Sequence, residues 1–182
     1  MENELESVVL VPALEAGQLV RELRMEHDPS AAAGIPPHLT LIFPFLPPRD
    51  LSAPIIDALE GLLKRTKAFD FTLTRVSEFE QGVVYLVPEP AAPFAVLTRE
   101  IGEEFGPLPF GGEFGKDPVV HLTLAIQASQ STRRQIADRL GPVLPIRLRA
   151  VEAWLMVGSN AGVGKMVRQM QFGAIATAGE LP

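Results

Sequence analysis

The chain has 182 residues, 47% apolar and 21% charged, with a formal charge of −6; this is the balance of a soluble globular protein and excludes a disordered or collagen-like chain. Without cysteine there is no disulfide framework, thiolate metal site, iron–sulfur cluster or thiol nucleophile, and no basic surplus of the kind that grips long nucleic acid. An acidic opening (Met-Glu-Asn-Glu-Leu-Glu) in place of a basic secretory start, and no run of about 18 apolar residues, point to a cytoplasmic protein without a membrane span.

Leu5 to Val11 reads as a strand whose apolar run, Val8 to Val11, is buried on both faces. Pro12 opens a helical stretch carrying Leu14, Leu19, Val20 and Leu23, and Asp28 to Pro37 is a loop. His38 to Phe45 is a second strand, ended by Pro47-Pro48. Asp50 or Ser52 then caps a helix with Leu51, Ile55, Ile56, Leu59, Leu62 and Leu63 on one face. Phe69 to Val76 and Val83 to Val87 form a hairpin around Gln81-Gly82. Phe94, Leu97, Ile101 and Phe105 mark a helix ending at Gly106, and Pro107 to Pro118 is a loop long enough to be functional. Val119 to Gln127 is a strand and Ser129 to Leu140 a helix. Pro145 to Val157 is one long strand, and Lys165 to Phe172 returns after a turn at Gly158 to Gly164. The order reads as one unit written twice.

Two of the three histidines sit in one repeated tetrapeptide, His38-Leu39-Thr40-Leu41 and His121-Leu122-Thr123-Leu124, each on the equivalent strand of its half. Alternate residues of a strand share a face. His38 and Thr40 therefore oppose Leu39, Leu41 and Phe43, and His121 and Thr123 oppose Leu122, Leu124 and Ile126. If the halves pack about a pseudo-twofold axis, both pairs meet in one cavity. Such a cavity suits a phosphodiester: one neutral imidazole takes a proton from the attacking oxygen, and the other, protonated, supplies the leaving oxygen. The threonine hydroxyls hold the non-bridging oxygens. A single His-x-Thr is most often a packed strand residue; the duplication is what points to function. His27, at a helix end, reads as surface.

With these two motifs the sequence resembles the two-histidine (2H) phosphoesterases, also called 2′-5′ RNA ligase-like proteins. The likeness includes Pro36-Pro37 before the first motif, Val83-Val84-Tyr85-Leu86-Val87-Pro88 between them and Gly111-Gly112-Glu113-Phe114 before the second, and runs from about Leu5 to Gly173. It implies an α+β fold of two similar lobes, with antiparallel sheets around a central cleft and helices on the outer faces. Residues 1–182 would form a single bilobal domain with interleaved lobes. It further implies acid–base roles for His38 and His121, phosphate binding by Thr40 and Thr123, and no cofactor. Family activities include opening 2′,3′-cyclic phosphates and cleaving or forming 2′-5′ linkages, and some members mainly bind nucleotides. Two positions depart from the common pattern. Val120 stands where proline often precedes the second histidine, and Ile126 where RNA-directed members carry arginine.

The expected protein is a monomeric, metal-independent phosphoesterase acting on a small nucleotide or short RNA end, and neither long nucleic acid nor membrane is an expected partner. The alternatives are a nucleotide-binding module with little turnover and a 2′-5′ RNA ligase. Phe110 and Phe114 are candidate lid residues over the substrate; Phe43, Phe45, Tyr85 and Trp154 read as core. Gly158 to Met166 resembles a phosphate loop but is one residue too long and lacks the Ser or Thr after the lysine, so it reads as a hairpin turn. Arg133-Arg134 reads as a solvated helix face, Lys165 and Arg168 as an exposed strand. Glu78, Glu80, Glu113 and Asp117 match no metal-ligand spacing with the histidines.

Overall fold

Val8 to Val11 are all buried because their strand, β1 (Glu6–Pro12), is central in its sheet, with Val9 and Val11 in the main core and Val8 and Leu10 in a small second cluster. In the computed structural model, which describes residues 5–106, 119–159 and 162–173, β1 pairs antiparallel with β2 (His38–Ile42) on one side. On the other side it pairs with β7 (Glu152–Ser159), which forms a hairpin with β8 (Gly162–Gln171). The sheet order is β2-β1-β7-β8. A second antiparallel sheet joins β3 (Phe69–Glu78), β4 (Val84–Glu89), β5 (Leu122–Ala125) and β6 (Ile146–Ala150) in the order β5-β4-β3-β6. The α+β class with antiparallel sheets expected from the sequence is the one the chain adopts.

The sheets, however, are not the sequence halves. The long strand expected over Pro145 to Val157 is two strands: β6 pairs with β3 in the second sheet, and after Val151 the chain enters the first sheet as β7. Alternation runs through both segments, and periodicity is blind to the change of partner. The first sheet is thus completed by the last two strands.

The connecting helices are exchanged in a similar way. α1 (Gly17–His27) links β1 to β2 but packs against β5 of the other sheet. α4 (Ala92–Phe105) links β4 to β5 but packs against β2, where Thr98 Oγ1 donates to the Leu41 carbonyl at 2.8 Å. Each motif strand is an edge strand held by the other half's helix, and β2 and β5 lie in contact. A short helix, α2 (Pro29–Ala32), occupies part of the expected loop, and its N-cap Asp28 accepts from the Ser30 amide at 3.0 Å. α3 (Ala53–Arg65) buries Leu59, Leu62 and Leu63 and packs on β8. α5 (Gln130–Leu140) is capped by Ser129, whose hydroxyl accepts from the Thr132 amide at 3.1 Å. One hydrophobic cluster draws on both sheets, with Phe94 edge-on to Phe69 and Phe71 at 5.0 and 5.1 Å. Among the described residues no helix is long and apolar enough to cross a membrane.

Gly173 closes the base of α3. Its amide donates to the Thr66 carbonyl at 2.8 Å, and a Cβ built there would collide with the Lys64 carbonyl oxygen. That neighbour is backbone and cannot swing away. Gly173→Ala is therefore expected to cost about 1–3 kcal/mol, read as a lower urea midpoint with an unchanged m-value.

Candidate active site

Strand alternation turns the polar residues of both motifs away from the core. Leu39 and Leu41, and Leu122 and Leu124, are buried in the core, while His38, Thr40, His121 and Thr123 are half-buried on the opposite faces. The alternation ends with the strands. Phe43, expected in the core, lies one residue beyond β2 and is 46% exposed; Phe45 is buried against Phe105. Ile126 lies one residue beyond β5 and is 44% exposed, and there the backbone turns to a positive φ of 53° at Gln127. The Ile126 amide donates to the His27 carbonyl at 2.9 Å. His27 is the last residue of α1 and its side chain is only 19% exposed, not the surface residue expected, because β5 packs against that helix.

The two histidines are anchored alike. His38 Nδ1 meets the Pro36 carbonyl at 2.8 Å, and His121 Nδ1 meets the Val119 carbonyl at 2.6 Å, in each case two residues upstream. A carbonyl only accepts, so each Nδ1 carries the proton and each Nε2 is left for chemistry. Burial pushes the His38 pKa down to about 4, helped by the Arg24 guanidinium and by His121; the Pro36 hydrogen bond and Asp28 oppose the shift. His121 is close enough to disfavour a charge on His38, so the two motifs share one electrostatic site. Burial also lowers the His121 pKa, against its bond to Val119, and no cation adds to that shift.

Beneath the motifs lies a charged pair that the sequence reading did not single out. Arg24 of α1 is 2% exposed and forms a salt bridge with Asp28 at 2.8 Å. Its Nε also donates to the Thr123 carbonyl at 3.1 Å, Nη1 to the Ile35 carbonyl at 3.3 Å and Nη2 to Ser30 Oγ at 2.9 Å. One guanidinium thus ties the second motif's strand to the segment leading into the first. The i,i+4 spacing was visible in the sequence; that the pair is buried was not.

The wall beside His121 is aromatic. Phe79 and Tyr85 stack at 4.3 Å between centroids, Phe79 stands edge-on to the imidazole at 5.1 Å, and Tyr85 is tilted against it at 5.2 Å. Tyr85 is buried, as expected, yet it pairs with Thr123 across β4 and β5 and so faces the site. Phe79 was missed because it lies past the regular part of β3.

Phe110 and Phe114, the expected lid, and Glu113 and Asp117 lie outside the described residues. Among the described residues no group of three metal-ligating side chains occurs. Glu78 instead pairs with Arg133 at 3.1 Å, and Arg133 also donates to the Ala128 carbonyl at 3.1 Å, so that residue is more than a solvated helix face. Arg168 turns toward α3, reaching Glu60 at 3.2 Å. The turn resembling a phosphate loop joins β7 to β8 in a hairpin, as expected.

A family model described as the 2′-5′ RNA ligase superfamily matches residues 11–162. The chain belongs to that superfamily. Two relatives are proteins provisionally named phosphoesterases, from Bacillus cytotoxicus and Bacillus licheniformis. Each is 28% identical over 135 residues, which is 73% of this chain and 76% and 77% of theirs. The crystal structure of E. coli LigT complexed with 3′-AMP aligns over 93% of this chain and 98% of LigT, with a TM-score of 0.58 and 20% identity. A crystal structure described as a phosphoesterase aligns over 92% of this chain and 98% of its own, with a TM-score of 0.56 and 19% identity. These two share the superfamily's fold.

Proposed function

We propose that this superfamily member is a metal-independent phosphoesterase, opening 2′,3′-cyclic phosphates or cleaving 2′-5′ linkages in a small nucleotide or short RNA end. The reading rests above all on two histidines with the same Nδ1-to-carbonyl anchor on adjoining edge strands, neither Nε2 hydrogen-bonded among the described residues. LigT's complex with 3′-AMP supports the ligand class. The catalytic residues are His38 and His121, with Thr40 and Thr123 holding the non-bridging phosphate oxygens. The working unit is a cytoplasmic monomer, one bilobal domain.

The environments divide the roles. Burial above all, with the Arg24 guanidinium adding to it, disfavours a proton on His38, which makes His38 the base. No cation opposes a proton on His121, where burial alone lowers the pKa against the Val119 bond, and this makes His121 the acid. In cyclic phosphate opening, a water oxygen bonds to phosphorus as its proton passes to His38 Nε2. The bond from phosphorus to one ribose oxygen breaks, and that oxygen takes the proton of His121 Nε2. In 2′-5′ cleavage the neighbouring 3′ hydroxyl replaces water, the 5′ oxygen leaves, and a 2′,3′-cyclic phosphate forms.

Hydrolysis of the four 2′,3′-cyclic nucleotides with EDTA present tests this reading. Turnover is expected; nucleotide binding without turnover would reassign the chain as a binding module. The pH profile follows from the two shifts. Neutral His38 requires a pH above about 4, and protonated His121 requires a pH below its pKa, itself held under the ordinary histidine range by burial. The kcat/KM is expected to rise as pH falls from 8 to 6 and to decline only near pH 4. A profile flat from pH 6 to 8 would remove protonated His121 as the acid.

A further inference from the structure

The first sheet carries a polar cluster that the four motif residues do not use. Across it, Thr40 of β2, Leu10 of β1, Trp154 of β7 and Gln169 of β8 stand in one register row. Directly opposed residues share a face, so Trp154 and Gln169 lie on the same face as Thr40. Gln169 is three strand spacings from Thr40, about 14 Å. Trp154 is half-buried against the cluster of Val8, Leu10 and Met156. In the next row Glu152 faces Gln171.

Glu152 organises this cluster. It is only 9% exposed, and its hydrogen-bond donors are neutral. Trp154 Nε1 donates to Oε1 at 2.7 Å, Gln169 Nε2 donates to Oε2 at 2.6 Å, and Gln171 Nε2 donates to Oε2 as well. A carboxylate only accepts, so each glutamine must turn its NH2 toward it. Each exposed amide is then held in one orientation, with its carbonyl and second N–H still available. A fixed donor–acceptor pair beside an indole is suited to reading the edge of a base.

We infer that Trp154, Gln169 and Gln171, oriented by Glu152, form a second nucleoside subsite, so that the substrate carries a nucleoside on each side of the phosphodiester. This rests on the phosphoesterase reading, which places the phosphate between Thr40 and Thr123. The two nucleosides of a phosphodiester leave the phosphate in different directions. One meets the Phe79–Tyr85 wall beside His121, the other the Trp154–Gln169 wall. A cyclic mononucleotide fills only the first.

Calorimetric binding separates this inference from the reaction. The probes are 3′-AMP and a 2′-5′-linked ApA whose 3′ hydroxyl is replaced by hydrogen, which removes the cleaving nucleophile. Wild type is expected to bind the dinucleotide about tenfold tighter than 3′-AMP. Gln169→Ala and Trp154→Phe should erase that difference while leaving 3′-AMP binding within twofold. The subsite is overturned if the dinucleotide binds no tighter than 3′-AMP, if the substitutions leave its affinity unchanged, or if they weaken both ligands equally. Tighter dinucleotide binding that depends on Gln169, by a wild type that hydrolyses nothing, would uphold the subsite and overturn the phosphoesterase reading.

Discussion

Replacing either His38 or His121 with alanine is expected to lower kcat by about 10²–10⁴-fold, the usual contribution of a positioned acid or base. The fold should survive. Each imidazole is half-buried, and its Nδ1 is bonded to a carbonyl two residues away. Losing the ring opens that carbonyl to water instead of orphaning a partner elsewhere. The two substitutions should not add, because one proton transfer without the other leaves the displacement incomplete. The measurement is kcat on a 2′,3′-cyclic nucleotide for both single variants and the double, with a urea midpoint for each. Variants that keep wild-type rates would end the two-histidine mechanism. A midpoint falling in step with activity would show that the loss is structural.

The largest expected stability effect belongs to Arg24. Arg24→Met leaves the Asp28 carboxylate, with 1% of its side chain exposed, without its cation. It also strips a donor from the Thr123 and Ile35 carbonyls and from Ser30 Oγ. Breaking a buried pair from one side costs about 3–5 kcal/mol, a large part of the roughly 5–15 kcal/mol that holds a domain together. Lysine should recover only part of this loss, since a single ammonium cannot reproduce the planar fork. Asp28→Asn keeps an N-cap for α2 while removing the charge. The double variant Arg24→Met/Asp28→Asn should therefore lose less than the sum of the singles. Urea unfolding of the four proteins checks this; strict additivity would mean that the two side chains are not coupled.

How far the site was legible depended on what each residue answers to. The motif residues were legible because strand alternation is local: His38 and Thr40 must oppose Leu39 and Leu41 wherever β2 lies. Phe43 and Ile126 were misplaced by extending the same alternation past the ends of the strands. Phe79 escaped because irregular backbone offers no period to follow. Arg24 and Asp28 were an ordinary i,i+4 pair on paper, and only the packing of β5 on α1 buried them. Trp154 and Glu152 could not be seen as neighbours of Gln169 and Gln171 until β7 and β8 were known to pair in this register.

The sequence by itself determined most of the elements, the faces of the strands and the duplicated His-x-Thr pattern, because these follow from side-chain period and residue type over a few neighbours. The superfamily resemblance followed from the same short motifs. Which strands share a sheet was decided only by the tertiary structure. The exchange of α1 and α4 between the sheets, the return of β7 and β8 to the first sheet and the approach of β2 to β5 depend on contacts between residues far apart in the chain. So does the Arg24 tie between the motifs. Burial and charge at that junction separate His38 from His121, two residues in identical tetrapeptides.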